Sequence, residues 1–152
     1  MERAFRCILR AVMYMKNSKE ILTSLLKTTQ MGQIGIRSVL DTGMRPGLRK
    51  ALESQLREYD AIETEAHAIA TQRGWEMNDL DPAIRLMSNM MTRMKLRGRN
   101  TDSKIADMMI QGNTRGMIKG FKNLHQFNKQ DLQVRTLSQR LLDCENANIR
   151  QM

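Results

Sequence analysis

The stretch Pro46–Trp75, PGLRKALESQLREYDAIETEAHAIATQRGW, limits what this chain can fold into more than any other. Leu48, Leu52, Gln55/Leu56, Tyr59, Ile62, Ala66 and Ile69 recur in steps of three and four, which places them on one stripe of a helix. Gly74 supplies the left-handed residue that a helix end commonly uses. Off the stripe stand Glu53, Glu58, Asp60, Glu63 and Glu65, the densest acidic cluster in the molecule. A helix of about 27 residues is about 40 Å long. Its stripe stays wet unless partners of similar length lie beside it.

The rest of the chain supplies such partners. Ile21, Leu22, Leu25, Leu26, Ile36, Val39 and Leu40 make the stripe of a first helix expected over about Ser18–Thr42. Asn17 followed by Glu20 reads as its capping pattern, so residues 1–16 are expected to be a poorly ordered extension and 17–152 the domain. Only three to five residues separate this helix from the second, which makes an antiparallel hairpin. A crossover helix is expected over about 82–97, entered through Asp81-Pro82. Ile105, Met108, Met109, Met117, Ile118, Phe121 and Leu124 mark a third long helix. Leu132, Val134, Leu137, Leu141, Leu142 and Ile149 mark a fourth, again a hairpin. Aromatics are 4% of the 152 residues and β-branched runs are lacking, so the fold class is all-α: a four-helix bundle of two hairpins with a crossover helix between helices two and three.

No apolar run reaches the about 20 residues that cross a bilayer. The basic, apolar start Met1–Lys16 lacks the long apolar centre of a secretory signal. A cytoplasmic protein without a membrane partner is expected. Cys7 and Cys144 have no metal or redox spacing and read as idle thiols. The net charge of +9 divides into +5 over residues 1–45, −3 over 46–80 and +7 over 81–152. The acidic second helix can therefore dock on basic neighbours within the chain.

Both hairpins turn polar midway. Thr29, Gln30 and Gln33, Tyr59 and Glu63, Gln111 and Asn113, and Glu145 and Asn148 are expected at the centre of the bundle, hydrogen-bonded to one another because an unpaired buried amide costs about 1–3 kcal/mol. A faint repeat accompanies them: Gln30/Gly35 matches Gln111/Gly116, and ETEAHAI (63–69) lies 80 residues before DCENANI (143–149). Glu63 and His67 stand four apart on one face and are expected to make a helix-surface contact; no cofactor is expected, the alternative being one weakly bound divalent metal at Glu63, His67 and Glu145. Met87, Met90, Met91 and Met94 make the crossover helix Met-rich, read as gap-filling side chains rather than a soft-metal site. Arg93, Lys95, Arg97 and Arg99 form a basic run that suits a polyanion, although no aromatic platform accompanies it and nucleic acid is not the expected partner. Protein partners are expected instead, a homodimer first.

The hairpin LLKTTQMGQIGIRSVLDTGMRPGLRKALESQLREYDAIETEAHAIATQRGW (25–75), with its closing Gln-Arg-Gly-Trp (72–75), resembles the ferritin-like families of spore-forming Firmicutes, including the spore-coat protein F-like group. Catalytic members of that superfamily hold two metals with a Glu from each of two helices and a Glu-x-x-His pair from each of the others. Here Glu63 is followed by Ala66 and Glu145 by Asn148, and the first and third helices offer Gln30 or Gln33 and Gln111 or Asn113. The resemblance thus implies a degenerate metal site, a non-catalytic structural or interaction protein, and association with the spore coat.

Overall fold

A computed structural model of the chain describes residues 2–98, 101–126 and 131–152, and the side chains of all of these except 11–17, 87–89, 91, 94, 95 and 126. The fold is all-α. Its helices are α1 Glu2–Leu40, α2 Pro46–Arg73, α3 Pro82–Lys95, α4 Thr101–Gln126 and α5 Leu132–Gln151, with no strand among the described residues.

Cross-helix contacts fix the directions. Gln30 meets Glu63 while Arg37 meets Asp60, so α1 and α2 are antiparallel. Asn113 meets Asn148 while Gly120 lies under Leu142, so α4 and α5 are antiparallel. Gln55–Gln151 and Arg73–Asp131 set α2 against α5 in opposite directions, and Ser24–Asn123 with Gly35–Met109 do the same for α1 and α4. The four long helices share one core, in which Leu22, Leu26, Leu52, Ile62, Ile105 and Leu137 are completely or nearly completely buried. The short α3 packs on α1. The α2 stripe turns inward as its spacing requires: Leu52, Gln55, Tyr59, Ile62, Ala66 and Ile69 are buried.

The helix ends show why the chain turns where it does. Gly74 adopts φ 68° and its N–H donates to Thr71 O, while Trp75 N–H donates to Ala70 O, which closes α2 with the paired bonds of a left-handed cap. Asp131 caps α5, its carboxylate accepting from Gln133 N and Val134 N. One boundary differs from expectation. The first helix, expected to start near Ser18, runs back to Glu2. No glycine or proline interrupts residues 2–31, and Ala, Arg, Leu and Met favour helix, so Asn17 has nothing to cap. Ser18 Oγ accepts instead from Asp131 N at 2.9 Å, tying α1 to the start of α5.

Candidate functional site

The polar middle of the molecule forms two sets. The first lies between α1, α2 and the loop after α2. Gln30 and Gln33, three apart on α1, are both buried. Gln30 Nε2 donates to Glu63 Oε1 at 3.0 Å and Asp79 Oδ1 at 2.8 Å. Gln33 Nε2 donates to Glu63 Oε2 at 2.6 Å and Asp60 Oδ1 at 2.8 Å, and Arg37 closes the row on Asp60 at 3.0 Å. Gln30 Oε1 accepts from the buried Leu80 N–H, which fixes its NH₂ toward the carboxylates. Each amide group thus stands between two acids, where its positive end offsets their repulsion.

Burial alone would raise the Glu63 pKa; the hydrogen bonds from Gln30 and Gln33 and the nearby His67 outweigh it and hold the carboxyl below its ordinary range. His67 Nε2 lies 3.8 Å from Glu63 Oε1. Donor atoms of Glu63, His67 and Asp79 all fall within 4.8 Å of one another, close enough for one cation to reach all three. His67 and Asp79 are exposed and Glu63 half-buried. Two carboxylate oxygens with one imidazole nitrogen suit a borderline divalent ion.

The second set lies between α2, α4 and α5. Tyr59 Oη donates to Asn113 Oδ1 at 2.9 Å, Asn148 Nδ2 donates to the same oxygen at 3.1 Å, and Asn113 Nδ2 donates to Met109 O at 2.7 Å. Burial, then the negative charge of Glu145, keeps the Tyr59 hydroxyl protonated far above its usual range. Burial pushes the Cys144 thiol up to about 11, so it is no ready nucleophile. Glu145 is 2% exposed, its carboxyl pressed against Gly116, and its Oε2 has no hydrogen-bond partner among the described residues. Burial raises its pKa to about 8. A cavity of about 20 Å³ adjoins it, lined also by Ile21, Leu25, Ser138 and Leu142, with room for one water.

Thr29 is buried and its hydroxyl donates to Leu25 O at 2.9 Å within α1. Gln111, expected at the centre, is exposed and bonds Asp107 at 2.8 Å. Two residues subtend about 200° on a helix, so Asn113 facing inward turns Gln111 out. Glu145 is not grouped with Glu63 and His67; it belongs to the α4–α5 seam. Arg93 and Arg97 are exposed, and Arg97 O accepts from Lys104 Nζ at 2.7 Å. Arg99 and the side chain of Lys95 lie outside the described residues. Asp79 was missed because helical periodicity says nothing about a loop. The one available signal was the apolar pattern Trp75, Met77 and Leu80, all partly or fully buried, which draws that loop back over α1 and α2.

Comparison with solved structures finds a similar fold in the crystal structure of a DUF305 fragment from Deinococcus radiodurans. The TM-score is 0.69 at 11% identity, covering 88% of this chain and 91% of that one. No family model matches the chain, and no curated protein matches it. These findings correct the ferritin-like and spore-coat protein F-like resemblance: the structural neighbour is a DUF305 fragment, and neither a family model nor a curated protein supports the assignment. The features that carried it have a general cause. A Gly-Trp helix ending and long amphipathic hairpins answer to capping and burial, and different families arrive at them independently.

Proposed function

We propose that this protein is a non-catalytic four-helix bundle whose role is interaction, and that its first partner is a second copy of itself. The observation that carries this reading is the outer face of α4. Ile110, Ile118 and Phe121 are exposed there, Ile118 by 51% and Phe121 by 47%, and they share one stripe at helical spacing. Exposed apolar stripes of this kind mark contact surfaces. A two-fold axis near the middle of α4 sets Ile110 of one copy against Phe121 of the other. On helical spacing the same operation would bring Asp107 of one copy near Lys122 of the other, giving the stripe a complementary charged edge. The experiment is the solution mass of wild type and of Ile118→Glu/Phe121→Glu across a concentration series. A dimer that the double variant converts to folded monomer supports the reading. A wild-type monomer at every concentration removes it.

A second reading rests on the convergence of Glu63, His67 and Asp79. It makes the protein a carrier of one divalent cation, bound on the exposed side of Glu63 because the Gln30 and Gln33 amides already occupy the inner side. Calorimetric titration of chelator-treated protein with zinc or manganese tests it. The expectation is one site, lost in Asp79→Asn and His67→Ala; no heat above buffer with either ion excludes it.

A further inference from the structure

The first turns of α1 carry a pattern that self-association through α4 leaves unused. Residues 2–10 are helical, and every one of them is exposed. Phe5, Ile8 and Leu9 are exposed by 67%, 63% and 47%. At 3.6 residues per turn these three fall within about 100° of arc, and Arg3, Arg6 and Arg10 fall within about 60° on the opposite side. The segment is therefore segregated into an apolar face and an arginine face. Between Glu2 and Glu20 there is no acidic residue, while Arg3, Arg6, Arg10, Lys16 and Lys19 all lie in that interval.

We propose that the Glu2–Arg10 segment of α1 is an attachment helix for an anionic phospholipid surface. The apolar face and the cationic face have to be satisfied together, which selects among partners. A nucleic acid answers the arginines and leaves Phe5, Ile8 and Leu9 in water. A second copy of the segment answers the apolar face and brings two arginine faces together. The acidic face of α2 offers little to it, because Glu58 and Glu65 pair with Arg140 and Asp60 with Arg37 inside the chain. An anionic bilayer answers both: apolar side chains enter the headgroup boundary while flanking arginines meet lipid phosphates. No described helix is long and apolar enough to cross a membrane. The sequence expectation of no membrane partner rested on that lack of a spanning run, and an interfacial helix needs none.

The test is co-sedimentation of the full chain with phosphatidylcholine vesicles, with and without phosphatidylglycerol. Two triple variants accompany it, Phe5→Ser/Ile8→Ser/Leu9→Ser and Arg3→Ala/Arg6→Ala/Arg10→Ala. Because these side chains are exposed, the folded core should survive both sets of changes, and circular dichroism with a thermal melt verifies that. The expected result is binding to the anionic vesicles alone, weakened about tenfold or more by either variant. No binding to anionic vesicles overturns the proposal. So does binding that only the arginine variant weakens, which reports charge without insertion, or binding that neither weakens, which places the contact elsewhere. Loss of a wild-type dimer in the apolar variant, without vesicle binding, assigns the face to a second copy instead. The α4 variants leave this segment intact, so failure of one reading is separable from failure of the other.

Discussion

Glu145 and Glu63 are both buried to some degree, yet they depart from the ordinary carboxyl in opposite directions, and the cause is their partners. Glu63 accepts two amide donors, whereas Glu145 Oε2 accepts none among the described residues. For Glu145 the folded pKa of about 8 lies above its ordinary 4.5, so the folded state binds the extra proton between those values. Stability contributed by the neutral form is complete below about pH 4.5 and is lost as the pH rises toward 8, at about 1.4 kcal/mol per unit. Glu145→Gln keeps the shape and removes the proton, and urea melts at pH 5, 6.5 and 8 should show a downward slope for wild type that the variant lacks. Glu63 has the reverse sign. Its folded pKa is depressed, so its contribution is present above the ordinary carboxyl range and disappears on acidification through the folded value. Glu63→Gln should therefore flatten stability loss below pH 4.5 and leave the Glu145 slope between pH 4.5 and 8 in place.

At the scale of helices, the glycines show where two rods touch. A Cβ on Gly116 would strike the Glu145 carboxyl, and one on Gly120 would come within 2.7 Å of Leu142, so α4 and α5 approach backbone to side chain at these two points. Gly112, one turn before Gly116 on α4, has nothing within 4 Å of its Cβ position. Gly112→Ala should stabilise the protein by up to about 1 kcal/mol through helix propensity. Gly116→Ala should destabilise it by about 1–3 kcal/mol despite the same gain, because Glu145 must be displaced. In a Glu145→Ala background the sign at Gly116 should turn favourable, a coupling that thermal melts of the four variants would measure. Asp131 makes a similar junction: it caps α5 and takes two hydrogen bonds from Arg73 at the end of α2. Asp131→Ala should cost about 1–3 kcal/mol, more than a cap alone. The rods were legible in the sequence because burial imposes a 3.6-residue period, so Leu52, Ile62 and Ile69 announce their own face. The contacts between rods were legible only in part: the inward polar set of Gln30, Gln33, Tyr59, Glu63, Asn113 and Asn148 is expected from the sequence, but the neighbour that each close approach meets is not. Nothing local distinguishes Gly112 from Gly116, Gln111 from Asn113, or Asp79 from any loop acid, since each is defined by a residue from another element. The start of the first helix escaped for a different reason: no glycine or proline breaks the run before Ser18, so nothing marks Asn17 as lying inside a helix rather than at its edge.

Charge decides the behaviour of the whole molecule. Each chain carries +9, and the acidic face of α2 is engaged internally by Arg37 and Arg140. Exposed pairs of that kind are worth about 0–1 kcal/mol each, so salt should shift the melting temperature little. Association is another matter, because two bodies of net charge +9 repel each other on average. Raising salt screens this repulsion, and at about 0.15 M the screening length is already about 8 Å. The apolar contact proposed for Ile110, Ile118 and Phe121 would not depend on salt in that way. Self-association through α4 should therefore tighten as sodium chloride is raised, whereas capture of an anionic surface or polyanion by the same chain must weaken steeply through counterion release. Sedimentation velocity at low and high salt separates the two cases by sign. If the wild-type dimer dissociates on adding salt, the contact is electrostatic, and the outer face of α4 is not what holds the copies together.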